Sequence, residues 1–189
     1  MQLLGGSLNV VWDGTIRGSD DGIEMEMFNS TMMVCFDTYK ANAIYSTDPD
    51  KSWTDSQNTT LFNWIHGVDI RDGNLWTAGC DDSPTSNTGL ARWDGKTHTS
   101  YLLEKTCWRV CNGSVAVSEG REDPNKEDPE SPCSIYTYTT DGTLDHLTLQ
   151  CNSKSIVRGM AYDPSTNGLF ALFWVPLRGV YVLEGYPAS

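Results

Sequence analysis

The chain has 189 residues, 39% of them hydrophobic and 20% charged, which suits one globular domain over residues 1–189 and leaves little room for a second. Its 25 acidic against 13 basic residues give a net charge of -12, so the average surface repels nucleic acid and anionic bilayers. No apolar run approaches the roughly 20 residues that cross a bilayer, and the longest, residues 168–176, has the length of a strand.

In chain order the elements are short strands separated by turn residues. Residues 8–13 read as an apolar strand that stops at Asp13-Gly14. Residues 24–34 read as a hairpin bent at Asn29-Ser30, and 43–48 as a strand ending at Asp48. A second hairpin spans 67–77 around Asp72-Gly73, followed by strands over 90–95 and 99–103. The third, 108–117, bends at Asn112-Gly113 and is followed by strands over 135–142 and 144–149. The fourth, 158–173, carries four extra residues in its turn, and a last strand covers 180–185. Asp-Gly and Asn-Gly supply the positive φ that a tight hairpin turn demands, and the flanking runs are β-branched and aromatic. No segment of helical length keeps a 3.6-residue apolar period, so the fold class is all-β.

The pattern repeats. Acidic residues that close the post-hairpin strand stand at 13, 48, 94, 141 and 184, separated by 35, 46, 47 and 43 positions. Four-stranded propeller blades need about 40 to 50 residues each. Segments such as Val68-Asp69-Ile70-Arg71-Asp72-Gly73-Asn74-Leu75-Trp76-Thr77, then Leu90-Ala91-Arg92-Trp93-Asp94-Gly95, make the chain resemble the β-propeller superfamily, with blades similar to lactonase-type and regulator-type propellers. The Gly-His partner typical of WD40 repeats is absent. The hairpin unit occurs four times and the post-hairpin strand five times. The count predicts a small four-bladed ring in which residues 8–13 close the blade built by 155–186 and remove exposed sheet edges. A five-bladed ring with a truncated blade is the alternative, and an open fragment of a larger propeller is the third arrangement.

Propellers bind ligands where inner strands converge, so the first strand of each hairpin carries the candidate site. Counted back from each turn, the third position is charged in three hairpins: Glu26, Asp69 and Arg109. Strand alternation predicts that these converge near the axis, with Trp64, His66 and Trp108 at a face of the same opening. Trp64, Trp108 and Trp174 flank the ends of strands, where an exposed indole stacks on sugar faces, and His66 has the side chain of a general base near neutral pH. A solvated channel or a structural ion-pair network explains the same charges without a ligand.

No nucleophile elbow, P-loop or dinucleotide motif is present, and no catalytic residue is assigned. The histidines, His66, His98 and His146, stand apart from the cysteines, so neither a metal nor any other cofactor is expected. The six cysteines, with sequons at Asn29, Asn58 and Asn112, predict a secreted glycoprotein with disulfides. Cys107, Cys111, Cys133 and Cys151 are the disulfide candidates, and Cys35 reads equally as a buried thiol. Residues 1–6 lack the basic start and apolar core of a signal peptide. The expectation is therefore a mature extracellular chain, with a cytosolic protein whose cysteines are reduced as the alternative. The function expected is non-enzymatic binding of a glycan or an extracellular protein at a cell surface, as a lectin would. The alternatives are a lactonase-like or glycosidase-like hydrolase using axial carboxylates, and a structural module of an extracellular assembly.

Overall fold

The computed structural model describes residues 23–28, 31–36, 44–48, 52–55, 64–80, 89–102, 105–120, 122 and 129–187. Those residues form four antiparallel sheets, each taking its strands in chain order. The first sheet comprises β1 (Ile23–Phe28), β2 (Thr31–Phe36), β3 (Ile44–Asp48) and β4 (Ser52–Asp55). The second holds β5 (Trp64–Arg71), β6 (Asn74–Cys80), β7 (Gly89–Trp93) and β8 (His98–Tyr101). The third holds β9 (Cys107–Cys111), β10 (Ser114–Ser118), β11 (Pro132–Tyr138) and β12 (Leu144–Lys154). The fourth has three strands among the described residues: β13 (Ile156–Asp163), β14 (Gly168–Val175) and β15 (Val180–Pro187), with a short 3-10 turn at Pro176–Arg178. No helix among the described residues is long and apolar enough to cross a membrane.

All four expected hairpins are present, as β1–β2, β5–β6, β9–β10 and β13–β14. The tight turns work as their sequences require, with φ of 50° and 71° at Asp72-Gly73 and 45° and 77° at Asn112-Gly113. Asp94 and Asp141, two of the repeating acidic residues, fix the turns after β7 and β11. The Asp94 carboxylate accepts the backbone N–H groups of Thr97 and Lys96 at 2.7 and 2.8 Å, and those bonds hold its pKa down. Asp141 is likewise held low by the Thr139 hydroxyl and the Thr143 N–H. Beyond the fourth strands expected behind the two middle hairpins, the first sheet has one as well, β4. The expected strand at residues 8–13 lies outside the described residues.

The sheets stack in order through their first strands, β1 against β5, β5 against β9, and β9 against β13. Three apolar clusters fill the three seams. Phe28, Ile65, Val68 and Leu75 lie between the first and second sheets. Trp76, Leu90, Val110, Val115 and Tyr138 lie between the second and third. Trp108, Ile135, Val157, Leu169 and Phe173 lie between the third and fourth. A strand inside the stack is covered on both faces, so all five residues of β10 are buried and Ala116 feeds one cluster while Val115 and Val117 feed the other. Each fully buried side chain of this size contributes about 1.5–3 kcal/mol.

The disulfide expectation is corrected. No two cysteines among the described residues stand at disulfide distance, and Cys107, Cys111, Cys133 and Cys151 carry thiols. Cys107 and Cys111 sit on one strand, where about 3.3 Å of rise per residue puts positions four apart far beyond the ~7 Å Cα limit of a disulfide. Cys133 lies on β11, with β10 between it and β9. Burial pushes the Cys107 and Cys133 thiols up, so both behave as small apolar side chains.

Candidate functional site

The first strands of the second, third and fourth sheets are not regular. In β5, Ile65 pairs with Gly79 and Gly67 with Ala78, which leaves His66 as an extra residue. In β9, Cys107 pairs with Val117 and Arg109 with Ala116, leaving Trp108 extra. In β13, Val157 pairs with Phe173 and Gly159 with Leu172, leaving Arg158 extra. Each is a β-bulge, which releases one residue from the ladder and turns its backbone groups aside.

The three bulges share one partner. Nη1 of Arg109 donates to the carbonyl of His66 and, at 2.6 Å, to that of Trp108, while its Nε donates to the carbonyl of Arg158 at 3.1 Å. One guanidinium thus ties β5, β9 and β13 together at the same level. Its course explains Gly67: a Cβ there would meet the Arg109 Cα at 3.1 Å and Cδ at 3.3 Å. The equivalent Gly159 has room, its nearest neighbour being the Leu172 Cβ at 4.0 Å.

His66 is buried and stacks on Trp108 with ring centroids 4.6 Å apart and an interplanar angle of 14°. Its Nδ1 lies 3.1 Å from the carbonyl of Cys107, a contact that requires the proton on Nδ1. Burial lowers its pKa to about 3, with the charges of Arg109 and Arg158 adding to the effect, so the imidazole is neutral at pH 7. Trp108 is buried too, and its indole donates to the Ser118 hydroxyl at 2.8 Å. This indole is committed to the interior. The Trp64 side chain lies outside what is described.

Asp69 sits three residues beyond its bulge, at the level of Cys111 and Ala161 rather than of Arg109. Its carboxylate faces the next hairpin, accepting the backbone N–H groups of Asn112 and Gly113 as well as that of Ile70; burial outweighs these bonds and raises its pKa. Arg71 follows on the same face, donating to the Tyr138 carbonyl at 2.6 Å and lying 5.3 Å from the centre of that ring. The structure therefore brings Arg109, His66 and Trp108 into one cluster and gives Asp69 a different one. Glu26 lies half-buried on β1 and is engaged in the structure.

Arg158, two residues before the position equivalent to Asp69 and Arg109 by counting from the turn, completes the cluster from β13. Counting from the turns aligned Asp69 with Arg109, because β5 and β13 run two residues further past their bulges than β9 does. The bulge itself leaves no compositional mark.

A second buried carboxylate also lay unrecognised. Glu122 accepts the N–H groups of Glu130 and Ser131 at 2.7 and 2.9 Å, and its own N–H donates to the buried Thr106 hydroxyl at 2.9 Å. It pins the two ends of the acidic segment after β10 to the third sheet. Of the sequon residues, Asn112 is exposed at its turn, whereas Asn29 and Asn58 lie outside the described residues. No group of three or more His, Cys, Asp or Glu side chains among the described residues is arranged to hold a metal ion. No protein-family model matches the chain, and no curated protein is detectably similar to it.

Proposed function

We propose that the chain is an extracellular, non-enzymatic β-propeller that binds a glycan or a cell-surface protein. Four blades form its ring, and residues 8–13 complete the fourth. Two features support the ring. The fourth sheet has three strands among the described residues where the others have four. Its outer face carries Phe170, Tyr181 and Leu183 at 38%, 60% and 67% exposure, while Met27 on the first sheet is 58% exposed. Apolar area of this kind is what the seams between sheets bury, and packing the last sheet on the first removes both surfaces from water.

The observation that carries binding over catalysis is the commitment of the inner polar side chains to the backbone. Arg109 holds three carbonyls, Asp69 holds the N–H groups of a turn, and His66 is a buried neutral ring. Groups so engaged hold a scaffold rigid, and recognition falls to the loops and turns around it. The exposed Asn112 sequon and the acidic surface support the extracellular setting; the thiols do not add to it.

Expression through the secretory pathway of a eukaryotic cell, followed by glycosidase treatment and a glycan array run beside a panel of lactone and glycoside substrates, tests the reading. A mass shift at Asn112 and saturable binding without turnover are expected. Turnover abolished by Asp69→Asn or Glu26→Gln would establish the hydrolase instead. Removal of residues 1–14 should expose the edge of the fourth sheet and cause aggregation; a monomeric, fully stable truncation would end the closure proposal.

A further inference from the structure

Three polar atoms in the seam between the second and third sheets are buried with no hydrogen-bond partner among the described residues: Oδ2 of Asp69, Nε1 of Trp76 and the hydroxyl of Tyr138. Such atoms are rare in folded proteins, because each left bare forfeits the hydrogen bonds it made to water. Here they are neighbours. Asp69 and Trp76 are direct partners across β5 and β6, so their side chains leave the same face of the second sheet. Tyr138 reaches across from β11, with its ring centroid 4.6 Å from that of Trp76. Burial pushes its phenol up and the charge of Asp69 adds to the effect, while the neighbouring Arg71 guanidinium opposes it. Trp76 is fully buried and Tyr138 nearly so.

We propose that Asp69, Trp76 and Tyr138 form a binding site for one buried water molecule between the second and third sheets. The chemistry of the three atoms selects that ligand. An indole N–H only donates, an ionised carboxylate only accepts, and a phenol does either. A metal cation would face the indole N–H and the nearby Arg71 guanidinium; an anion would face Asp69. A neutral molecule that donates and accepts at once suits all three. Water accepts from Trp76, donates to Asp69 and bonds Tyr138 in either sense, which gives the roughly three hydrogen bonds usual for buried water. The site lies between two described sheets and does not depend on the ring or on what the protein binds.

A high-resolution crystal structure of the chain, paired with water-detected NMR of the Trp76 indole proton, tests the proposal. Expected are one solvent peak within hydrogen-bond reach of all three atoms and a cross-peak from the indole proton to a long-lived water. In Tyr138→Phe the water should remain on two partners, with the cross-peak weakened; in Asp69→Leu it should vanish. A direct hydrogen bond between any two of the three side chains with no solvent between them, or an ion refined at the site, would overturn the proposal. So would an unchanged cross-peak in Asp69→Leu. Should that variant fail to fold, the wild-type crystal and the Tyr138→Phe spectrum decide the matter alone.

Discussion

The seam between the third and fourth sheets and the seam between the second and third are built from the same hairpins, yet they are filled differently. The former is largely aliphatic and aromatic: Ile135, Ile156, Val157, Leu169 and Phe173 meet there. The latter surrounds one indole, Trp76, with Tyr138 at 4.6 Å, Tyr101 at 5.8 Å and the Arg92 guanidinium at 5.9 Å, and sets Asp69 and Arg71 beside them. An apolar seam stabilises in proportion to the area it removes from water and tolerates repacking. A seam with polar groups inside accepts only arrangements that satisfy them, so it fixes how two sheets sit at some cost in net stability.

Truncation in the apolar seam gives the largest expected effect. Phe173→Ala removes a ring that is 2% exposed and should cost about 3–5 kcal/mol in denaturant unfolding. A loss under about 1 kcal/mol would mean that this seam does not carry the stability assigned to it. Next comes Arg109→Ala, which leaves the carbonyls of His66, Trp108 and Arg158 without their donor and loosens both seams together. A loss of about 2–4 kcal/mol is expected, and Arg109→Lys should restore only part, since an ammonium lacks the planar fork.

A pair of glycines tests the asymmetry more finely. Gly67→Ala drives a methyl group into the Arg109 backbone at 3.1 Å and should destabilise by about 1–3 kcal/mol, whereas Gly159→Ala, with 4.0 Å of room, should stay within about 0.5 kcal/mol. Equal effects would show that the two bulges are not packed differently.

The smallest effect is read by pH. The unfolded chain protonates His66 near its ordinary pKa of 6.5, while the folded imidazole resists until about pH 3. Its contribution is complete above the ordinary value and is lost as pH falls, by about 1 kcal/mol between pH 7 and 5.5. Asp69 acts with the opposite sign, because its raised pKa makes acid favour the folded state. Titrating His66→Gln alongside the parent isolates the histidine: the difference between the two curves should carry its slope alone, and a flat difference would show that His66 is solvated.

The strands were legible because turn chemistry marks them directly. Asp72-Gly73 and Asn112-Gly113 adopt the positive φ that their sequences imply, and in the runs beside them apolar residues such as Val68 and Ile70 alternate with Asp69 and Arg71. Among the described strands, only β4, the four residues Ser52–Asp55, has no counterpart in the sequence pattern, being too short to show alternation. The site was legible in part. His66, Trp108 and Arg109 were singled out and do meet, but the burial and stacking of the first two were not readable, since nothing in a sequence tells a buried stacked indole from one awaiting a ligand. Arg158 stands two residues before the position that counting back from its turn gives, because an extra residue in a strand alters spacing without altering composition. The cysteines misled for a related reason: an even count carries no distances, and β9 holds Cys107 and Cys111 apart along one extended strand.

The bulges also act as an origin from which the hairpins are measured. Six positions separate His66 from Asp72 at its tip and four separate Trp108 from Asn112, yet both bulge carbonyls reach the same guanidinium. The difference is an even number, so every side chain keeps its face, whereas an odd one would turn the hairpin inside out. Hairpin tips can therefore be lengthened or exchanged in steps of two without disturbing the inner line of strands, which makes the tips, rather than the strands beneath them, the place where new sequence can be grafted.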